Sequence, residues 1–273
     1  MRKTILALSV AAALGAPLLA NAQSKPEPDH KFTGNITLIS DYRFRGISQT
    51  FGEPALQGGF DYAHSSGFYL GNWNSNISET AGFPNGNLEM DFFGGWKKSW
   101  GDWGLDLGFI YYYYPGSDAA GNVRYAVVNP NSLVAAGSGQ VDNKELYIGG
   151  SWKWLSLKYF HAIDDYFSVP GTEGTRYWDL SANYELAAGW AINGHIGRLK
   201  VKSVSQADYT DYKIGVTKDI AGWVLGASFV STTAQDAPGQ FYNFFKFENA
   251  SAVANKFYEG GKSALLLSVG KTF

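Results

Sequence analysis

The sequence predicts an all-β fold, a transmembrane antiparallel up-and-down β-barrel of about twelve strands, with ten or fourteen as the alternatives. Three observations carry that prediction. The carboxy-terminal segment alternates, with Leu265, Leu267, Val269 and Phe273 on one face and Ala264, Ser268, Gly270 and Thr272 on the other, the pattern of a wall with lipid outside and polar groups inside. Strand-like segments recur along the chain, joined alternately by short turns and longer polar links, as in barrels whose two rims differ. The 273 residues include 33 glycines, 16% aromatics, 17% charged residues and no cysteine, which suits many strands with aromatic girdles and tight turns better than a globular α/β chain.

The chain begins with Arg2 and Lys3, an apolar run from Ile5 to Ala20, and Ala20-Asn21-Ala22 before Gln23. This reads as a secretory signal peptide over residues 1–22. A retained anchor is disfavoured because the run is short and interrupted by Gly15 and Pro17. Residues 23–31 form a polar, proline-bearing periplasmic lead, and 32–273 the barrel. No later segment has the roughly 18 apolar residues of a spanning helix, so a membrane crossing falls to a closed barrel. Removing the signal leaves 20 basic against 24 acidic residues, a formal charge of −4, which argues against a nucleic-acid partner.

Strand one is expected over 32–44, where Phe32, Gly34, Ile36, Leu38, Tyr42 and Phe44 share one face, and Thr33, Asn35, Thr37, Asp41 and Arg43 the other. Eleven more follow at about 56–63, 68–77, 87–97, 103–113, 144–152, 154–162, 176–186, 189–200, 208–218, 222–232 and 262–273. Five short turns, such as His64-Ser65-Ser66-Gly67 and Ala187-Ala188, alternate with six longer links, among them 114–143, 163–175 and 233–261. Both termini then fall on the short-turn, periplasmic side. Trp96, Trp100, Trp103, Trp152, Trp154, Trp190 and Trp223 all sit beside short turns, where an interfacial belt belongs. A soluble sandwich would alternate too, but with a charged outward face. Two segments blur the count: the aromatic run 241–247, and 124–129, which can extend a hairpin.

Ser40-Asp41-Tyr42-Arg43-Phe44-Arg45-Gly46-Ile47-Ser48-Gln49-Thr50, then 54–62 and Gly67-Phe68-Tyr69-Leu70-Gly71-Asn72-Trp73, resemble the TorF-type porin family (Gcw_chp type), conserved bacterial outer-membrane proteins of unknown function. The resemblance is specific over residues 32–76. It implies an outer-membrane barrel with a channel role and no particular substrate. The terminal Phe273 is similar to the sorting signal read by the outer-membrane barrel assembly machinery, with Lys271 where an aromatic is usual.

Enzyme chemistry finds little support. There are four histidines (30, 64, 161 and 195), no His-Glu-x-x-His, no nucleophile elbow and no phosphate loop. An outer-membrane hydrolase would have only His161 as base, with no serine motif beside it. Asp164, Asp165 and Glu173 are a candidate calcium loop, more simply read as solvated carboxylates. Tyr111 to Tyr114 read as an outer-leaflet girdle rather than a sugar slide, since only alternate residues face the lumen. The expectation is therefore no catalytic residues, no cofactor and no metal.

The residues expected to line a pore are acidic Asp41, Asp61, Glu89, Asp91, Asp106, Glu145, Asp179, Glu185 and Asp211, against basic Arg43, Arg45, Lys97, Lys158 and Lys213. Nine acidic against five basic favours cations weakly. Asp41, Arg43 and Arg45 stand where strand one meets the first external loop; they suit either a charged mouth or an ion-pair network that anchors a folded-in loop. The expected function is a porin-like channel for passive diffusion of small polar or ionic solutes, narrowed by the 114–143 or 233–261 loop. The alternative is a plugged structural or adhesive barrel acting through its external loops.

Overall fold

In the computed structural model the described residues are 28–81, 83, 85–119, 138–237, 240–246 and 256–273. The signal segment 1–22 and the 124–129 stretch lie outside them. The strands, in chain order, are β1 (His30–Ile39), β2 (Arg43–Phe44), β3 (Ile47–Ser48), β4 (Ala55–His64), β5 (Phe68–Asn76), β6 (Leu88–Trp100), β7 (Trp103–Tyr113), β8 (Asp142–Trp152), β9 (Leu155–Ala162), β10 (Arg176–Glu185), β11 (Trp190–Lys200), β12 (Tyr209–Ile220), β13 (Trp223–Thr232), β14 (Asn243–Lys246), β15 (Lys256–Glu259) and β16 (Ala264–Thr272).

Twelve of these close a ring in the order β1-β16-β13-β12-β11-β10-β9-β8-β7-β6-β5-β4, antiparallel throughout. The other four form two small hairpins, β2-β3 and β14-β15, outside the barrel sheet. The ring closes where β1 pairs with β16, from Asn35↔Thr272 to Ile39↔Ser268. Closure leaves the spanning backbone with internal partners, the condition for a sheet in hydrocarbon.

Alternation decides which face meets what. Phe32, Phe60, Phe68, Leu70, Ile214 and Leu265 are all more than half exposed on the outside of the ring, while Trp73, Tyr112, Tyr147, Phe160, Tyr177 and Tyr209 are buried within it. An exterior this apolar is unstable in water and suits acyl chains. Trp100, Trp103, Trp152, Trp154, Trp190 and Trp223 are exposed together beside the short turns. Lysines lie over three of these indoles, Lys153 on Trp152, Lys218 on Trp190 and Lys271 on Trp223, at 4.9 to 5.0 Å. Such belts sit where headgroups meet water.

The twelve expected strands match the ring closely, with one informative difference. Strand one stops at Ile39 rather than Phe44. Beyond Ser40 the chain leaves the wall and turns into the lumen, where Arg43–Phe44 pairs with Ile47–Ser48 across a two-residue turn. Arg45 (φ 47°) and Gly46 (φ 82°) both take positive φ, the geometry that hairpin turns of this length require. The aromatic run 241–247 contributes β14, which pairs with β15 and not with the barrel.

Candidate functional site: the lumen and the hairpin inside it

The hairpin spanning residues 40–52 is built around one carboxylate. Asp41 accepts from Arg43 Nε, from Ser48 Oγ at 2.6 Å, from Thr50 Oγ1 at 3.1 Å and from the Gly52 N–H at 3.1 Å. Arg43 Nη1 in turn donates to the carbonyls of Gly46, Gly260 and Lys262 at 2.9 to 3.2 Å. The pair therefore ties the hairpin to itself and to the approach of β16. Both side chains are about 5% exposed, so the charges rely on these bonds rather than on water.

Arg45, at the tip, crosses the barrel. It forms a two-pronged pair with Glu145 on β8, at 3.0 and 2.6 Å, and Nη1 also donates to Tyr166 Oη at 3.0 Å. Counting round the ring, β8 stands five strands from β1, nearly opposite, so the hairpin bridges the lumen. Four rings surround the guanidinium: Tyr177 at 4.1 Å, Phe44 at 4.9 Å, Phe160 at 5.2 Å and Tyr166 at 5.9 Å from their centroids. The far side of the tip touches the wall directly. A Cβ on Gly46 would stand 2.5 Å from Thr232 Cγ2 and 2.8 Å from Asp211 Cβ, so glycine is needed for contact as well as for φ.

Other loops pack round the hairpin. Phe83 stacks on Tyr114 at 4.0 Å, and Phe167, from the 163–175 link, contacts Phe44, Phe83, Tyr112 and Tyr114. On the other side Phe51 meets Phe244 and Tyr258 of the β14-β15 hairpin. Tyr42 is 1% exposed, packs edge-on against Trp73, and donates to Glu89 Oε1 at 2.9 Å. Each such ring is worth ~1.5–3 kcal/mol in burial. The outer half of the lumen is thus a packed polar and aromatic plug.

Below it the lining is polar. Asp106 accepts from Tyr69 Oη and Lys158 Nζ, both at 2.6 Å, and Tyr69 and Tyr147 share a hydroxyl contact. His195 lies between two carboxylates, Asp211 at 2.7 Å and Asp179 at 3.3 Å, with Tyr177 Oη bonded to Asp211. Lys213 sits opposite His195 in the β11-β12 register, and Lys97 lies over the Tyr69 ring at 5.0 Å. Asp61 accepts from Asn35 at 3.4 Å. Large inward rings face glycines: a Cβ on Gly108 would meet Tyr147 Cζ at 2.3 Å.

The residues singled out in the sequence thus occupy three levels. Asp41, Arg43, Arg45, Glu145, Glu89 and Asp91 are buried in the plug. Asp61, Asp106, Lys158, Asp179, Asp211, Lys213 and Lys97 stand in or below it, and Glu185 is exposed at the short-turn end of β10. Glu89 Oε2 and Asp91 Oδ1 are buried without a hydrogen-bond partner, while the two plug arginines pair with Asp41 and Glu145. Sequence reasoning missed Tyr69, Tyr147, Tyr166, Tyr177 and His195 as members of these networks. Inward parity with Asp179 and Glu145 was the signal available for Tyr177, His195 and Tyr147; Tyr166, in a loop, carried none.

Of the weaker candidates, His161 bonds the Tyr159 hydroxyl at 3.1 Å. Asp164 pairs with Lys144 at 2.8 Å, and Asp165 accepts from the Thr172 and Glu173 amides. No group of three or more His, Cys, Asp or Glu suited to a metal occurs among the described residues. Tyr111 and Tyr113 stack on each other at 5.8 Å, while Tyr112 and Tyr114 are buried inside.

No curated protein matches the sequence. Solved structures with similar chain traces include the KdgM porin in complex with disordered oligogalacturonate (7% identity, covering 89% of this chain and 97% of that one, TM-score 0.49). Others are the TodX monoaromatic hydrocarbon channel deltaS2 mutant (10%, 91% and 90%, 0.43) and OccAB4 of Acinetobacter baumannii (9%, 89% and 62%, 0.39). At these identities and scores they carry no argument about function. A family model, "Bacterial protein of unknown function (Gcw_chp)", matches residues 23–273, and the chain belongs to that family.

Proposed function

Taking that family membership as the premise, we propose that the protein is an outer-membrane, TorF-type porin-like channel through which small polar or ionic solutes diffuse passively, with no catalytic residues and no cofactor. The single observation that carries the reading is the composition of the lumen. Below the plug it is lined by Lys97, Asp106, Lys158, Asp179, His195 and Lys213 rather than by an apolar filling, which is the lining an aqueous path requires. The constriction is assigned to the first external loop, residues 40–54, with Phe244 and Tyr258 of the 233–261 link packed against it; most of the 114–143 loop, the other expected constriction, lies outside the described residues. Insertion into outer-membrane lipid follows secretion and recognition of Phe273 by the barrel assembly machinery.

The plug itself supports a second reading, a structural or adhesive barrel acting through its outer loops. Planar-bilayer recording of purified protein, its fold verified by gel mobility with and without boiling, separates the two. Discrete conductance steps are expected; silence from folded protein favours the second reading. Reversal potentials in a salt gradient are expected to show weak cation preference, and a clear anion preference overturns that part of the proposal.

A further inference from the structure

The charged residues below the plug follow one hydrogen-bonded row of the wall. Lys97 on β6 lies opposite Asp106 on β7, which lies opposite Gly149 on β8. Gly149 is opposite Lys158 on β9, and Lys158 is opposite Asp179 on β10. The row continues through Gly197 on β11 to Asp211 on β12. Barrel strands tilt by roughly 35–45°, so a row drawn across them climbs as it turns. Lys97 is near the short-turn end of β6 (Leu88–Trp100), whereas Asp211 is near the opposite end of β12 (Tyr209–Ile220) and meets Gly46 at the hairpin tip. The row is therefore a ramp that rises round half the ring, from the short-turn mouth to the plug.

Side chains close the gaps that the two glycines leave. Lys158 reaches across Gly149, where a Cβ would stand 2.8 Å from its Cγ, to bond Asp106 at 2.6 Å. Over Gly197 a Cβ would stand 2.5 Å from Asp211 Oδ2, and His195 joins Asp211 to Asp179 at 2.7 and 3.3 Å. Lys213, opposite His195 in the register, lies within the field of Asp179. The pairing is incomplete on the lumen side. Asp106 and Asp179 keep 22% and 20% of their side chains exposed. Lys97 is exposed and Lys213 partly so, and neither has an ion pair among the described residues. β13 and β16, diametrically opposite β7 and β8 in the ring order, turn Gly226, Ser228, Ser268 and Gly270 inward and no ionisable group. A solute in the lumen thus meets charge of both signs on one side and neutral hydroxyls on the other.

We propose that the preferred solutes are small zwitterions, molecules bearing an ammonium and a carboxylate with no net charge. The ammonium takes the open oxygens of Asp106 and then Asp179, while the carboxylate takes Lys97 and then Lys213, so each step up the ramp exchanges one two-handed contact for the next. An ion of single sign meets attraction and repulsion in turn, at intervals set by the strand spacing of about 4.8 Å, and an uncharged solute gains neither. This preference rests on the channel reading proposed above and names its substrate class.

The test is osmotic swelling of liposomes holding the whole processed protein, corrected for protein-free vesicles, in β-alanine and in lactamide. The two are isomers, and only β-alanine carries separated charges at neutral pH. Swelling is expected to be about threefold faster in β-alanine, the scale of one solvated charge contact. In Arg45→Ala protein, where the plug is released, both rates rise and the ratio persists. Lys158→Gln with Asp179→Asn, which removes an opposed pair at constant net charge, abolishes the difference, and Lys158→Arg with Asp179→Glu keeps it. Lys213→Gln, which breaks no ion pair among the described residues, lowers the ratio by itself and decides the matter where the double variant does not fold. Equal rates for the two isomers, or a ratio unmoved in the folded variants, overturn the zwitterion preference and leave the channel standing. No swelling in either solute from folded wild-type and Arg45→Ala protein removes the channel and the preference with it.

Discussion

Replacing Arg45 by alanine strikes the plug at its tip. Glu145, 1% exposed, is left with a single long bond among the described residues, from Tyr112 Oη at 3.4 Å. Removing one partner of a buried pair costs about 3–5 kcal/mol, and losing the ring contacts, the nearest at 4.1 Å, adds ~0.5–2 kcal/mol. None of this touches the β-ladders, so the loss falls on docking of the hairpin rather than on the barrel. At about 1.4 kcal/mol per factor of ten, the docked state loses at least roughly a hundredfold in population. The expected result is larger or more frequent conductance steps, together with faster amide exchange across residues 41–50, in protein that keeps its folded gel mobility. Arg45→Met with Glu145→Gln, which removes both charges, is expected to disturb docking less than either single change, because no charge is left stranded. Wild-type conductance and unchanged exchange in folded Arg45→Ala protein would refute the latch.

Three further outcomes follow from the same packing. Gly46→Val is expected to mimic Arg45→Ala, since φ 82° is strained for valine and its Cβ would enter the space of Thr232 and Asp211; exchange of the hairpin amides reads it, and wild-type protection would contradict it. Asp91→Asn replaces one of two buried carboxyls two residues apart on the inner face of β6, which have no basic partner among the described bonds; the amide cannot ionise, so at alkaline pH, where the wild type must bring charge into this site, the variant should hold the plug more firmly by ~1 kcal/mol, measured as slower exchange of residues 41–50, whereas faster exchange would show that the carboxyl itself is needed. Tyr42 and Tyr114, both outside the spanning strands, have phenols pushed well above the ordinary 10.0, by burial first and by the Glu89 carboxylate second. A raised folded-state value means their contribution is whole below pH 10 and is lost as pH climbs through that value. Tyrosinate absorbance should therefore rise in two phases, the second together with loss of near-ultraviolet dichroism; a single phase near pH 10 with dichroism intact would contradict it.

The wall of this protein was legible because its code is simple. Alternation at a period of two survives in nearly every strand, and the short turns keep their glycines, Gly101, Gly189 and Gly222, at positive φ. What alternation cannot report is where a strand leaves the sheet. Asp41 and Arg43 continue the inward parity of β1, so the pattern reads straight through Ile39 to Phe44, although the outward-parity Tyr42 and Phe44 end up inside. The local signal that contradicts it is Arg45-Gly46 between Phe44 and Ile47, a two-residue hairpin turn flanked by strand formers. The cross-lumen partners were harder to find: Arg45 and Glu145 are 100 residues apart, and nothing in either segment names the other. Parity placed both inside, but only the length and direction of the hairpin bring them together.

The composition of the plug bears on what it can do. A lumen closed by aliphatic packing alone would open only by exposing all that surface to water, at ~25 cal/mol per Å² with no compensation. Here the hairpin is docked largely by the Arg45–Glu145 pair and by the bonds from Arg43 to the Gly260 and Lys262 carbonyls, polar groups that regain hydration when they separate, so the cost of undocking is the difference between two large opposing terms. The aromatic contacts set how far that difference favours closure, and Phe51, Phe83 and Phe167, on three different links, are the rings that would have to part. A hairpin whose docking is so divided is a closure that ionic strength should loosen only weakly, since buried pairs are poorly screened, whereas substitutions at either arginine should act strongly and at opposite ends of the same element.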